Sequence, residues 1–191
     1  MEDRTLKLTR AARAGDKQAF TELVAPLWPR LFRLCLRFVL DPGRAEDLAQ
    51  EALTRAWLRL PQLREDAAFA PWLLQTAANL SKNDLRRRRE DPVPEEALGA
   101  DAAGEDASQG ILRKEQRRVI EEAMRALPPT QRVAVELVLR DGLSYREAAA
   151  ILGVPLGTLK TFVHRARERL KRSLAEESRA QGGTVRVAPH V

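Results

Sequence analysis

Residues Glu90 to Gly110 divide the chain. This segment, EDPVPEEALGADAAGEDASQG, carries seven acidic side chains, no basic one, two prolines and three glycines. It has almost no large apolar side chain, so burial cannot offset the entropy of ordering it. It reads as a flexible acidic linker, residues 90–110. Folding must occur on either side of it, in residues 1–89 and 111–176. Residues 177–191 lack helical periodicity and read as a frayed tail. Both flanks are written in Ala, Leu, Arg and Glu at helical spacing, without alternating β-branched runs. The expected fold class is all-α: two small helical domains with no internal repeat between them.

The second unit holds the sharpest local pattern, SYREAAAILGVPLGTLKTFVHRARERLKR. Ser144 followed by Glu147 fits a capping box ahead of a helix over Tyr145–Leu152. Gly153 suits the left-handed residue that ends a helix, and Pro155 suits the first turn of the next. Two helices joined by a tight glycine turn predict a helix-turn-helix. On the second helix, Leu159, Val163, Ala166 and Leu170 form one apolar stripe. Thr161, His164, Arg165 and Glu168 point away from it, with Lys160 on the flank. Pro155 to Ser173 contains six Lys or Arg against one Glu. The first residues of such a recognition helix enter the major groove, where Lys160, Thr161 and Arg165 can reach base edges or phosphates. A solvated basic helix beside an accidental turn is the bland alternative. The agreement of cap, glycine, proline and two faces argues against it. His164 has no second ligand at metal-binding spacing and reads as a surface or DNA-facing residue. Upstream, LPPTQRVAVELVLRDG predicts a helix begun by Pro128-Pro129 and stopped near Gly142. Its Leu137 and Val138, with Leu143, are expected to pack under the helix-turn-helix.

In the first unit, DPGRAEDLAQEALTRAWLRL predicts a helix capped by Asp41 and started by Pro42. Ala45, Leu48, Ala49, Ala52, Leu53, Ala56, Trp57 and Leu60 make a complete buried stripe. Glu46, Asp47, Gln50 and Glu51 lie opposite it. Periodicity alone allows a plain solvated face there, since acid near a helix N-terminus is favourable in itself. A polar loop, about Gln62 to Ala68, then leads to a helix with Pro71 near its start. Trp72, Leu73, Thr76, Ala77 and Leu80 form its inner stripe. Asn79, Lys82, Asn83 and Arg86 face outward, and four arginines, Arg86 to Arg89, close it. A polar loop beside a basic helix suits single-stranded nucleic acid.

The chain as a whole carries 33 Lys and Arg against 27 Asp and Glu, a formal net charge of +6. That balance favours an anionic partner without specifying a fold. One cysteine, Cys35, lies in the apolar run LFRLCLRFVL and reads as core; it excludes an intrachain disulfide and a Cys-rich zinc site. The first residues have no apolar run of signal-peptide type, and no stretch is long and apolar enough to span a membrane. A reduced, soluble, cytoplasmic protein is expected. No nucleophile–base pair, metal cluster or phosphate-cradling glycine loop is visible, so no enzyme activity, metal or cofactor is expected.

AEDLAQEALTRAW, FAPWLLQTAANLSKNDLRRRR and LPPTQRVAVELVLRDGLSYREAAAILGVPLGTLKTFVHRARERL, in that order around a linker, resemble a compact bacterial sigma factor. The resemblance is to the extracytoplasmic-function type, group IV of the sigma-70 family, over about residues 10–175. It implies that residues 1–89 are region 2 and residues 111–176 are region 4. Asp47, Gln50 and Glu51 match the family's D-L-x-Q-E pattern for gripping the β′ clamp helices of core RNA polymerase; a β-subunit contact is also implied. The loop residues Leu63, Arg64, Glu65, Asp66 and Phe69 would hold a base flipped from the −10 element. Asn79, Lys82, Asn83 and Arg86 would line the −10-reading helix. Ser144, Tyr145, Thr158, Lys160, Thr161, Phe162, His164, Arg165 and Arg167 would face the −35 element. Phe162 stands where some relatives have arginine. The acidic linker would thread the RNA-exit path; a plain tether is its alternative. The chain lacks an autoinhibitory acidic region, a region 3 domain and the aromatic cluster that opens duplex in primary sigma factors. This implies dependence on near-ideal promoters. An anti-sigma factor is the implied regulator. Two other classes compete with this reading. One is a free-standing helix-turn-helix regulator with a dimerisation or sensing domain. The other is a sigma mimic that binds a regulator but never directs transcription.

Overall fold

The computed structural model describes residues 2–90 and 111–180. The linker and the end of the tail lie outside the described residues, except Glu90, which still belongs to a helix. Every regular element among the described residues is helical. The first unit comprises α1 (Glu2–Arg13), α2 (Lys17–Val24), α3 (Trp28–Val39), α4 (Pro42–Arg59) and α5 (Phe69–Glu90). The second comprises α6 (Ile111–Arg125), α7 (Pro129–Val135), α8 (Tyr145–Leu152) and α9 (Leu156–Ala180). Helix α9 thus runs a few residues past the expected end of its domain.

The caps anticipated from sequence are present. Asp41 accepts the Arg44 backbone N–H at 3.0 Å and fixes the start of α4. Leu40, just before it, takes a left-handed conformation (φ 59°) that turns the chain sharply out of α3. Ser144 and Glu147 form the full capping box. The Glu147 N–H donates to Ser144 Oγ at 3.2 Å, and the Ser144 N–H donates to Glu147 Oε2 at 2.9 Å. Gly153 ends α8 with φ 60°, a conformation that costs an L side chain but not glycine.

Helices α3, α4 and α5 pack against one another. Their core is Leu31, Leu34, Cys35 and Phe38, the alanine stripe Ala45, Ala49, Ala52 and Ala56, and Leu73, Leu74, Ala77 and Leu80. Small side chains on α4 let the neighbouring backbones approach closely. Burial pushes the Cys35 thiol up to about 11, so it stays protonated and inert. Across the same core, Arg44 Nε donates to Asp84 Oδ1 at 2.9 Å and ties α4 to α5. In the second unit α6 and α7 lie on α9, whose Leu159, Val163 and Ala166 are fully buried.

The two units do not stand apart. Helix α7 packs on α3 and α8 packs on α5. Leu137, Ala148, Ile151 and Leu152 join the same buried cluster as Leu34, Phe38 and Leu74, with Val138 and Leu143 packed against it. Leu137, expected under the helix-turn-helix, thus also sits in the seam between the units. This explains why the buried face of α5 is broader than the expected stripe and includes Leu74, Ala78 and Ser81.

Ion pairs reinforce the seam. Arg37 of α3 donates from Nη1 and Nη2 to the Asp141 carboxylate at 2.6 and 2.7 Å, and its Nε lies 2.8 Å from Glu136 Oε2. Arg132 Nη2 returns a bond to the Arg37 carbonyl at 3.0 Å.

Candidate nucleic-acid interface

Three surfaces carry the residues singled out from sequence. On α4, the buried alanine stripe forces Glu46, Asp47, Gln50 and Glu51 into solvent. Their contacts are local. Asp47 Oδ2 lies 3.6 Å from Arg44 Nη1, Gln50 Nε2 donates to Glu46 Oε1 at 3.2 Å, and Glu51 pairs with Arg55 at 2.5 Å. The same face ends in Leu58, which is 69% exposed. Sequence reasoning passed over Leu58, although its spacing from Asp47, Glu51 and Thr54 (i+11, i+7, i+4) marks it as a leucine on the polar side.

The second surface is the loop before α5. Two short helical turns, Leu60–Gln62 and Asp66–Ala68, hold it. With α5 they frame an open pocket of about 340 Å³ lined by Leu63, Arg64, Glu65, Ala68, Pro71, Trp72, Gln75 and Ala150. That is within the size range of small-molecule sites. Arg64 and Glu65 are exposed at its rim, and Trp72, expected in the core stripe, is only half-buried and forms part of the wall. Two loop residues stand differently from the sequence expectation. Phe69 is 1% exposed and lies edge-on to Phe20 and tilted against Trp72, so its ring anchors the loop and cannot meet a base. Asp66 has its carboxylate occupied: Arg10 Nε donates to Oδ2 at 2.8 Å and Arg13 Nη1 to Oδ1 at 2.7 Å. The Arg10 and Arg13 guanidiniums hold that carboxyl below its ordinary range.

Along α5, Asn79, Asn83 and Arg86 are exposed as expected. Lys82 is not. Its Nζ donates to the Leu152 carbonyl at 2.8 Å, at the C-terminal end of α8, where unpaired carbonyls and the helix dipole attract a cation. Burial lowers its pKa. Gly153 follows so closely that an added Cβ would stand 3.2 Å from Gln75 Nε2 and 3.7 Å from Asn79 Oδ1. The end of α8 therefore rests on the face of α5 that carries Asn79 and Lys82. Sequence offered one signal for this. The run AAAIL leaves α8 apolar on more than one side, more than a single partner needs.

The third surface is α9. Lys160, Thr161, His164, Arg165 and Arg167 are exposed, and Thr161 Oγ1 donates to the Gly157 carbonyl at 3.0 Å. Arg165, with His164, Arg169 and Arg172, lines a groove of about 450 Å³ whose opposite wall is Leu127, Pro128 and Gln131. Ser144 is committed to its capping box, and Thr158 is half-buried. Tyr145 and Phe162 are half-buried against the shared core. Phe162 thus packs where a polar contact stood in question. Among the described residues there is no cluster able to hold a metal ion, and no helix is long and apolar enough to cross a membrane.

Comparison with known proteins covers both units. The family described as Sigma-70 region 2 matches residues 23–90, and that described as Sigma-70, region 4, matches residues 117–170. The RNA polymerase sigma-H factor of Pseudomonas aeruginosa is 33% identical over 178 residues, covering 88% of this chain and 92% of that one. The ECF RNA polymerase sigma factor SigW of Bacillus subtilis is 30% identical over 190 residues, covering 92% of this chain and all of its own. A co-crystal structure of the sigma factor RpoE with the anti-sigma factor NepR from Bartonella quintana superposes with a TM-score of 0.63. It is 28% identical and covers 82% of this chain and 96% of that one. The comparisons lend no support to a free-standing helix-turn-helix regulator.

Proposed function

Because this chain belongs to the sigma-70 family, as an extracytoplasmic-function RNA polymerase sigma factor acting in transcription initiation, we propose that its three surfaces divide the work of that role. The exposed row Asp47, Gln50 and Glu51, extended by Leu58, docks on core RNA polymerase. The loop pocket captures one unstacked −10 base between Arg64, Glu65 and Trp72, with Asn79, Asn83 and Arg86 along the strand beside it. Lys160, Thr161 and Arg165 read the −35 duplex from the major groove, while Arg167 adds phosphate contact. The observation that carries this reading is the order of surfaces along the chain. An exposed acidic row, an open loop pocket and a basic helix follow one another across the ranges matched to region 2 and region 4.

Two weak DNA contacts joined by a tether and by polymerase reinforce each other through effective concentration. They cannot both engage separate promoter elements while α8 rests on α5, so activity requires the seam to part. Lys82 is released to the −10 strand when it does. The relative solved with NepR supports an anti-sigma partner for this chain as well.

Run-off transcription with purified core polymerase on a library randomised in both elements tests the assignment. Promoter-dependent transcripts are expected; silence on every template overturns it. Within that assay, Arg165→Ala is expected to weaken the upstream contact by about 1–3 kcal/mol, the worth of a bidentate base contact. Its loss should vanish on templates whose −35 element is scrambled. An equal loss on both template classes would remove Arg165 from the −35 interface.

A further inference from the structure

We propose that Arg10 and Arg13 of α1 are positioning residues for −10 base capture, holding the pocket loop in its receiving shape through Asp66. The inference rests on the assignment of that loop as the base pocket, and it adds an element that assignment does not contain. Helix α1 lies before residue 23, where the matched region 2 begins.

The loop consists of two short helical turns, Leu60–Gln62 and Asp66–Ala68, joined through Leu63–Glu65. Between Leu60 and Phe69 its backbone bonds include Leu63 N–H to the Leu60 carbonyl and Ala68 N–H to the Glu65 carbonyl, both at 3.0 Å, and Phe69 N–H to the Asp66 carbonyl. Leu63 and Phe69 are buried at either end and pin the flanks. Between them, Arg64 and Glu65 project to the rim with no apolar anchor. Ala68 packs against the core, and the polar anchor of this stretch is the Asp66 carboxylate, gripped by two guanidiniums from one helix, one on each oxygen. The Asp66 side chain is 13% exposed, while Arg10 and Arg13 are 71% and 34% exposed, so the clamp lies at the surface and draws its strength from two charge-assisted bonds to one carboxylate. Helix α1 also touches both short turns of the loop, Leu60–Gln62 and Asp66–Ala68. Asp66 adjoins Glu65 and lies two residues from Arg64, so fixing its side chain fixes the backbone that aims both rim groups at a captured base. Discrimination between bases depends on that aim, because a donor displaced from a base edge stops distinguishing it from the others.

A stability role alone would lower transcription from all templates alike. A positioning role changes the ratio between templates. In the randomised library, wild-type protein should show a strong preference at one −10 position. R10A/R13A is expected to cut that preference by about tenfold, within the range one bidentate base contact supplies, with −35 preference and core-polymerase affinity unchanged. R10K/R13K, which keeps charge without the rigid fork, should recover part of it. Asp66→Asn should cut the preference alone but add nothing in the R10A/R13A background, since the three residues act as one unit. An unaltered preference in R10A/R13A, or an additive loss from Asp66→Asn, overturns the proposal while leaving the pocket assignment intact. If wild-type protein itself lacks any −10 base preference, the pocket assignment falls and this inference with it. Should R10A/R13A fail to fold, Asp66→Asn decides: a preference unmoved by that single change overturns the proposal.

Discussion

Arg37→Glu should separate the two helical units while leaving each folded. Arg37 is 13% exposed at its side chain and faces Glu136 and Asp141 across the seam. Reversal removes three charge-assisted bonds and puts a third carboxylate beside two. Breaking a buried pair by changing one partner costs about 3–5 kcal/mol; because the Asp141 side chain is 29% exposed, about 2–4 kcal/mol is the fitting figure. Arg37 lies outside the core of its own unit, so the loss falls on docking. Small-angle scattering should report a larger radius of gyration, and a single-stranded −10 oligonucleotide should bind more tightly without polymerase. Adding Asp141→Arg should restore the compact form. An unchanged scattering curve would show that the apolar seam of Leu137, Ile151 and Leu152 holds by itself. Hydrogen bonds from Arg37 depress the Asp141 pKa, so its contribution is complete above the ordinary carboxylate value and fades as pH falls through the depressed one. Burial raises the Glu136 pKa, while Arg37 across the seam pulls it down. Asp141 is therefore the group whose pairing favours closure at neutral pH.

Local grammar made most of this molecule legible. Asp41, Ser144, Glu147, Gly153 and Pro155 act within a few residues of themselves, so their roles follow from spacing. The alanine stripe of α4 is equally local, because a helix that buries one face must expose the other. What spacing could not reveal depends on partners far along the chain. Asp66 read as a base contact because it sits in a polar loop, yet its partners are 53 and 56 residues away on α1. Lys82 read as outward because its own helix leaves it polar neighbours, yet α8 arrives from 70 residues downstream and offers a carbonyl. Phe69 read as a loop residue, and tertiary packing against Phe20 made it core. In each case the side chain's type fitted two roles, and only three-dimensional proximity decided between them. The same limit applies to Arg37: LFRLCLRFV carries two arginines, Arg33 and Arg37, and nothing in their spacing tells that Arg37 is the one met by acidic partners, or which ones.

Asp47→Ala combined with Gln50→Ala should abolish productive binding to core polymerase and leave the fold intact. The two effects separate because the side chains answer to different partners. Within the chain, Asp47 is 69% exposed at its side chain and meets only Arg44 at 3.6 Å, and Gln50 meets only Glu46 one turn earlier. Exposed contacts of this kind are worth little, so unfolding free energy should move by about 0.5 kcal/mol or less. Arg44 keeps its hold on buried Asp84, which maintains the α4–α5 tie. Toward polymerase, Asp47 and Gln50 stand on the same ridge as Glu51 and Leu58, so the face combines acid, amide and an apolar end. Docking residues at the centre of such a patch typically cost about 2 kcal/mol or more each when truncated, enough to lower core affinity by a hundredfold or more for the pair. Fluorescence anisotropy of labelled protein titrated with core enzyme measures this directly, with urea denaturation of the same variant as control. Transcription should fall on every template alike, in contrast to Arg165→Ala, whose effect needs an intact −35 element. Core affinity equal to that of the unaltered chain would falsify the docking role and return the acidic row to a solvated helix face. A matching loss of affinity and of unfolding free energy would instead place Asp47 or Gln50 in the structural frame. That outcome runs against the geometry, since neither side chain reaches beyond its own helix.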